Sequence, residues 1–223
     1  MAEHNLIYNK NLDEITSSIV FLTDEIGVYH YNKLTYLFEY FFIKNFGFRY
    51  TKEKFLKYPH GPVISNYKNQ IHRLYKNGII NVNCDELNKK RTVDDYLYKK
   101  IIISKTDLTI SNIITNSEIF NFIEMIIEKF ARLTTDELEN IIYQTTPIKN
   151  YLTLQENNYR KKIGGYIFPD CIRLKDYKDI VVKGRELALK HSLKYPQIDI
   201  ELHKDLAIEL AYMSNLRPKL CAF

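Results

Sequence analysis

Ser65-Asn66-Tyr67-Lys68-Asn69-Gln70-Ile71-His72-Arg73-Leu74-Tyr75-Lys76-Asn77-Gly78-Ile79-Ile80-Asn81-Val82-Asn83 is the stretch that decides the fold. Apolar residues recur at Ile64, Tyr67, Ile71, Leu74 and Tyr75, close to the period of a helix with one buried face. Lys68, Asn69, His72, Arg73 and Lys76 fall on the other face. Ser65 is a good N-cap, and Gly78 stands where the helix must stop. Ile79 to Asn83 then reads as a strand. Tyr96 to Ser104, rich in β-branched and aromatic residues, reads as its partner. The polar loop between them, Cys84 to Asp95, carries Lys89, Lys90 and Arg91. A helix followed by a two-stranded hairpin is the layout of a winged helix.

Upstream, Ile15 to Leu22 reads as a short amphipathic helix and Asp24 to Val28 as a turn. Tyr31 to Phe46 is a longer helix whose apolar residues cover more than one face, so it expects neighbours on several sides. Gly47 follows its last apolar residue. Thr51 to Phe55 opens as a short helix, and Tyr58-Pro59-His60-Gly61-Pro62-Val63 forbids any continuous one. Downstream, Ser117 to Ala131 turns Ile119, Ile123, Ile126, Ile127 and Phe130 inward. Thr134 and Glu137 have the spacing of a capping box, opening a helix that Pro147 closes. Asn157 to Pro169 reads as a loop; Asp176 to Lys194 and Ile200 to Ser214 read as helices. The expected class is α+β: mainly α, with a winged-helix-like helix and a small β-hairpin.

The composition is that of a globular chain: 223 residues, 45% hydrophobic and 26% charged. Three scattered cysteines, Cys84, Cys171 and Cys221, suit a reducing compartment, and Met1 to Asp13 shows no signal pattern. Leu34 to Phe48 is broken by Glu39 and Lys44, and is shorter than the roughly 20 apolar residues of a membrane span. The expectation is a soluble, cytoplasmic protein with no membrane partner. Net charge is +5 but uneven: Lys44 to Lys105 holds 14 basic and 5 acidic residues.

No catalytic template fits. GxGxxG, P-loop and GxSxG patterns are absent, and the six His are scattered without metal-ligand spacing. We therefore expect no catalytic residues, no metal and no cofactor. The candidate partner-binding residues are His60, Lys68, His72, Arg73, Lys76, Lys89, Lys90 and Arg91. Three readings of this basic set stay open: a protein-binding face, a DNA reader of winged-helix type, and a merely solvated surface. Asp85, Glu86, Asp94 and Asp95 place negative charge in the loop that would approach phosphate.

A second set of residues carries a resemblance. Asn32-Lys33-Leu34-Thr35-Tyr36-Leu37 opens a helix; Tyr58-Pro59-His60-Gly61-Pro62-Val63 and Tyr67 follow; Leu133 to Leu138 then precedes Thr145-Thr146-Pro147. This series resembles the SocA-like, Panacea-domain antitoxins of bacteria, archaea and phages. It covers Leu12 to Leu152, which sets the expected domains at 12–152 and, as a helical extension, 153–223. Family members often carry a tryptophan ahead of Gly-Pro-Val; this chain has none. The resemblance implies an antitoxin that neutralises a cognate toxin, encoded next to it, by direct binding. The alternatives are a DNA-binding regulator of its own operon and an adaptor that hands the toxin to a protease. Read physically, Gly61 permits a positive φ, Pro62 presets the backbone, and Lys33 and Tyr36 lie on one side of their helix, positioned to bond carbonyls of the loop.

Overall fold

The structure, a computed structural model, describes residues 9–51, 53–83, 101–107, 116–157, 166–167 and 177–191. Asn9 caps the first helix, α1 (Lys10–Thr23), by accepting from the Leu12 N–H at 3.1 Å. Leu12, Ile15, Ile19 and Val20 of α1 are buried, and so are its polar residues Asp13, Glu14, Thr16, Ser17 and Ser18. Thr16 and Ser18 meet that burial by bonding back to the carbonyls of Leu12 and Glu14. Strand β1 (Glu25–Gly27) follows, where a turn was expected. Residue Asp24 makes the corner before it with φ 60, and its carbonyl accepts from the Lys105 N–H at 2.9 Å.

Helix α2 (Val28–Phe46) follows and supplies much of the buried core. Tyr31, Leu34, Tyr36, Leu37, Phe38 and Phe42 are fully buried, as the apolar residues on all sides of this helix require. Phe38 and Phe42 pack on Tyr50 and Phe122 in an aromatic cluster. The expected helix at Thr51 to Phe55 does not form. The buried Glu39 carboxylate accepts from the Tyr50 N–H at 3.1 Å and from the N–H and hydroxyl of Thr51, which anchors the start of this stretch on α2. The chain instead enters strand β2 (Phe55–Tyr58), turns through Pro59-His60, and returns as β3 (Gly61–Ile64).

Helix α3 (Tyr67–Lys76) leads through Gly78, at φ 69, into β4 (Ile80–Val82). β5 (Ile102–Lys105) pairs antiparallel with β4 and with β1, giving the strand order β1-β5-β4 with Ile103 fully buried at its middle. Of the second expected hairpin strand, Tyr96 to Ser104, residues 96–100 lie outside the described residues. The run α1-β1-α2-α3-β4-β5, with this strand order, is a winged-helix topology; the β2–β3 hairpin is inserted between α2 and α3.

Three more helices follow: α4 (Ser117–Phe130), α5 (Thr135–Tyr143) and α6 (Thr146–Asn157). Thr134 and Glu137 form the expected capping box. Pro147 sits in the first turn of α6, where a missing N–H costs nothing, so it opens a helix and does not close one. Within the expected loop from Asn157, Tyr166–Ile167 forms a strand, β6, which joins the second sheet in the order β3-β2-β6. The fold is α+β and mainly helical.

The chain divides into two compact units, residues 1–44 with 49–172, and residues 45–48 with 173–223. All elements above except the end of α2 belong to the first. The second holds helix α7 (Tyr177–Lys190), with Leu187 and Ala188 buried, and Gly47, which stops α2 at φ 75. The helix expected at Ile200 to Ser214 lies outside the described residues.

Candidate functional site

Two groups of predicted residues come together on the first unit. The first is α3. Tyr67, Ile71 and Leu74 bury one face of this helix, and Gln70 joins them. Gln70 Nε2 donates to Thr16 Oγ1 at 2.6 Å, and Tyr31 Oη donates to Gln70 Oε1 at 2.7 Å. Arg73, expected on the outer face, reaches back to α1: its two terminal nitrogens bond both oxygens of Asp13, each at 2.5 Å. A fork of two parallel charge-assisted bonds fixes the helix in rotation as well as position. Lys68, Asn69, Tyr75 and Lys76 stay exposed and His72 is half-buried. Lys89, Lys90 and Arg91 lie outside the described residues.

The second group surrounds the β2–β3 turn. Tyr58 pairs with Gly61, leaving Pro59-His60 as the loop. Gly61 takes φ 98, a conformation that a side chain resists, and a Cβ there would meet Cε and Nζ of Lys33 at 3.4 Å. Lys33 is fully buried; its Nζ donates to the Pro62 carbonyl at 3.0 Å and lies 4.6 Å from the centre of the Tyr29 ring. This is the kind of environment a buried ammonium needs: a carbonyl oxygen and an aromatic face. Asn32, one residue before, accepts from the Ile64 N–H at 2.8 Å. Tyr36 reaches elsewhere. Thr145 Oγ1 gives its proton to the Ile142 carbonyl at 2.6 Å, so the Tyr36 hydroxyl donates to Thr145 at 2.8 Å. Pro62, Val63 and Tyr67 are buried.

The turn is also bonded to α5. Tyr143 Oη donates to the Pro59 carbonyl at 2.6 Å, and Lys57 Nζ donates to Tyr143 Oη at 2.7 Å. His60 Nδ1 lies 3.0 Å from Glu139 Oε1, the same oxygen that takes the Tyr29 hydroxyl in a short bond. Burial, then the bond to Glu139, pushes the Tyr29 phenol above its ordinary range. Burial and the Glu139 charge push Tyr143 the same way. Burial pushes the Lys57 ammonium down, with Glu139 pulling against it. The result is a half-buried polar cluster that fixes the hairpin tip, while His60 and Tyr58 remain about 40% exposed.

Asn32, Lys57, Glu139 and Tyr143 escaped sequence reasoning. Glu139 and Tyr143, four apart, share a face of α5, and that spacing was the signal available. Among the described residues, no three of His, Cys, Asp and Glu gather to hold a metal.

The family described as "Antitoxin SocA-like, Panacea domain" matches residues 32–147, which is 116 of the 223. The match opens at Asn32 and closes at Pro147, so it encloses α3, the β2–β3 hairpin and the α5 residues that hold the tip. No curated protein matches the chain, and no solved structure does.

Proposed function

Because this chain belongs to the SocA-like antitoxins with a Panacea domain, we propose that it neutralises a cognate toxin, the product of a neighbouring gene, by binding it directly. The family match over just over half of the chain carries this reading. The proposal assigns no reaction, cofactor or metal to the chain. It places the action in the cytoplasm; no helix among the described residues is long and apolar enough to cross a membrane.

The geometry supports a binding role for the tip. Lys33 and Asn32 are spent on bonds to β3, and Gly61 supplies the positive φ of its turn, so these residues build a rigid hairpin. Rigid presentation lowers the ordering cost of association. Tyr166 pairs with Leu56, and Tyr58 is two residues on, so both tyrosines stand on one face of the second sheet, 48% and 40% exposed. Exposed tyrosines beside a fixed turn are the kind of anchor that interfaces use. In this proposal His60, with Tyr58, meets the toxin; Lys68, His72, Lys76, Lys89, Lys90 and Arg91 are the remaining contact set, and Arg73 acts through the position of α3.

The test is co-expression with the product of the adjacent gene. Growth rescue together with a co-purifying complex is the expected result. Rescue without physical association would reject direct binding and favour control of the toxin's synthesis or proteolysis.

A further inference from the structure

We propose that the outer face of α3, whose Lys68, His72 and Lys76 the toxin reading also uses, is in addition a contact surface for duplex DNA. At 100° per residue, Lys68, Asn69, His72, Tyr75 and Lys76 fall within about 120° of arc, opposite the buried Tyr67, Gln70, Ile71 and Leu74. That face is polar, and its charged residues are cationic. No Asp or Glu occurs between Glu53 and Asp85, a stretch holding Lys54, Lys57, Lys68, Arg73 and Lys76. A polyanion meets no carboxylate from this segment.

Place in the fold adds a second argument. α3 directly precedes the β4–β5 pair in a sheet of order β1-β5-β4, with α1, β1 and α2 before it. In helix-turn-helix architectures the helix at this position enters the major groove and the flanking elements touch phosphate. Asn69 lies near the N-terminal end of α3, and an Asn amide is matched to the donor–acceptor edge of adenine. Rigidity is the third argument. The Asp13–Arg73 fork and the Thr16–Gln70–Tyr31 bonds fix α3 on α1 and α2 from its inner side, while on the outer side the Asn69 amide donates to Asn66 Oδ1 at 2.8 Å, an exposed bond that a base edge would have to replace. The helix is thus held from behind while its cationic face looks outward.

The test uses the full chain and fluorescent duplexes that tile the DNA upstream of its own coding sequence, with shuffled duplexes of equal composition. Affinity is followed by anisotropy across a salt series. Wild type is expected to bind with a logarithmic affinity that falls linearly with logarithmic salt, because each phosphate contact releases counterions. The charge-reversed double variant, Lys68→Glu with Lys76→Glu, should lose binding about tenfold or more while keeping its melting curve. The neutral pair, Lys68→Gln with Lys76→Gln, should bind with a salt slope shallower by about 2, and it carries the test if the charge-reversed pair folds poorly. Wild type that ignores every duplex at low salt overturns the proposal. So does a neutral pair whose affinity and slope equal those of wild type. Charge reversal that abolishes toxin association and leaves duplex affinity unchanged also overturns it, and makes α3 a protein-binding face.

Discussion

Gly61 is the residue on which the hairpin turns, and Gly61→Ala is expected to destabilise the chain by about 1 kcal/mol or more. Its φ of 98 opposes any side chain, and the added Cβ would touch Lys33 in its buried seat. Urea melts of the two proteins measure the difference; coincident curves would show that the backbone tolerates a side chain there. The need for a glycine was legible in Pro-His-Gly-Pro, because two prolines and a glycine leave few conformations for the chain. The burial of Lys33 was not legible. A lysine reads as a surface residue. Its side of the helix did point to a bond with a loop carbonyl, which proves to be that of Pro62. Nothing in the spacing announced a fully buried ammonium with the ring of Tyr29, four residues back on the same helix, beside it. Arg73 misled in the same way: helical periodicity put it on the polar face, and only the partner on α1, Asp13, drew it back.

Between elements, the hairpin is joined to α5 through Lys57, and this joint has a pH signature. Burial holds the Lys57 ammonium below its usual value of 10.5. The folded chain therefore gives up this proton before the unfolded chain does. Across the window from the depressed value up to 10.5 the unfolded state binds more protons, so Lys57 contributes stability that rises with pH. The phenols of Tyr29 and Tyr143, shifted upward, act in the opposite sense, but only above their usual 10.0. Melting temperatures at about pH 8 and about pH 9.5 should thus improve more for wild type than for Lys57→Met. Identical pH dependence in the two would remove Lys57 from this account. Most of the helices were legible because each shows an apolar stripe over ten residues or more. The strands were less so. β1 has three residues and β6 two, too few for alternation to appear, and in β3 all four residues are buried, which erases it.

At the scale of the whole molecule, the first unit runs to Ile172, beyond the family match and beyond Leu152. The reason is β6: Ile167 is buried and pairs with Phe55, so a strand from beyond the expected boundary completes the sheet that carries the tip. A chain ended after Leu152 should be less stable than one ended after Ile172 by about 2 kcal/mol or more, since burying one isoleucine contributes on that order. Equal urea midpoints would show that β6 is dispensable. The other side of the same sheet ends differently. Among the described residues β3 is the strand at that edge, and several of the groups that would receive a newcomer are missing or already engaged. Pro62 has no N–H to offer, its carbonyl is held by Lys33, and the Ile64 N–H is held by Asn32. Two side chains of one helix thus stand in for a missing neighbouring strand. Growth of the sheet is disfavoured there, whether by a second copy or by an extended peptide adding through backbone pairing. Whatever docks on this border is therefore recognised through side chains, with the lysine that seats the turn also deciding which kind of partner the border accepts.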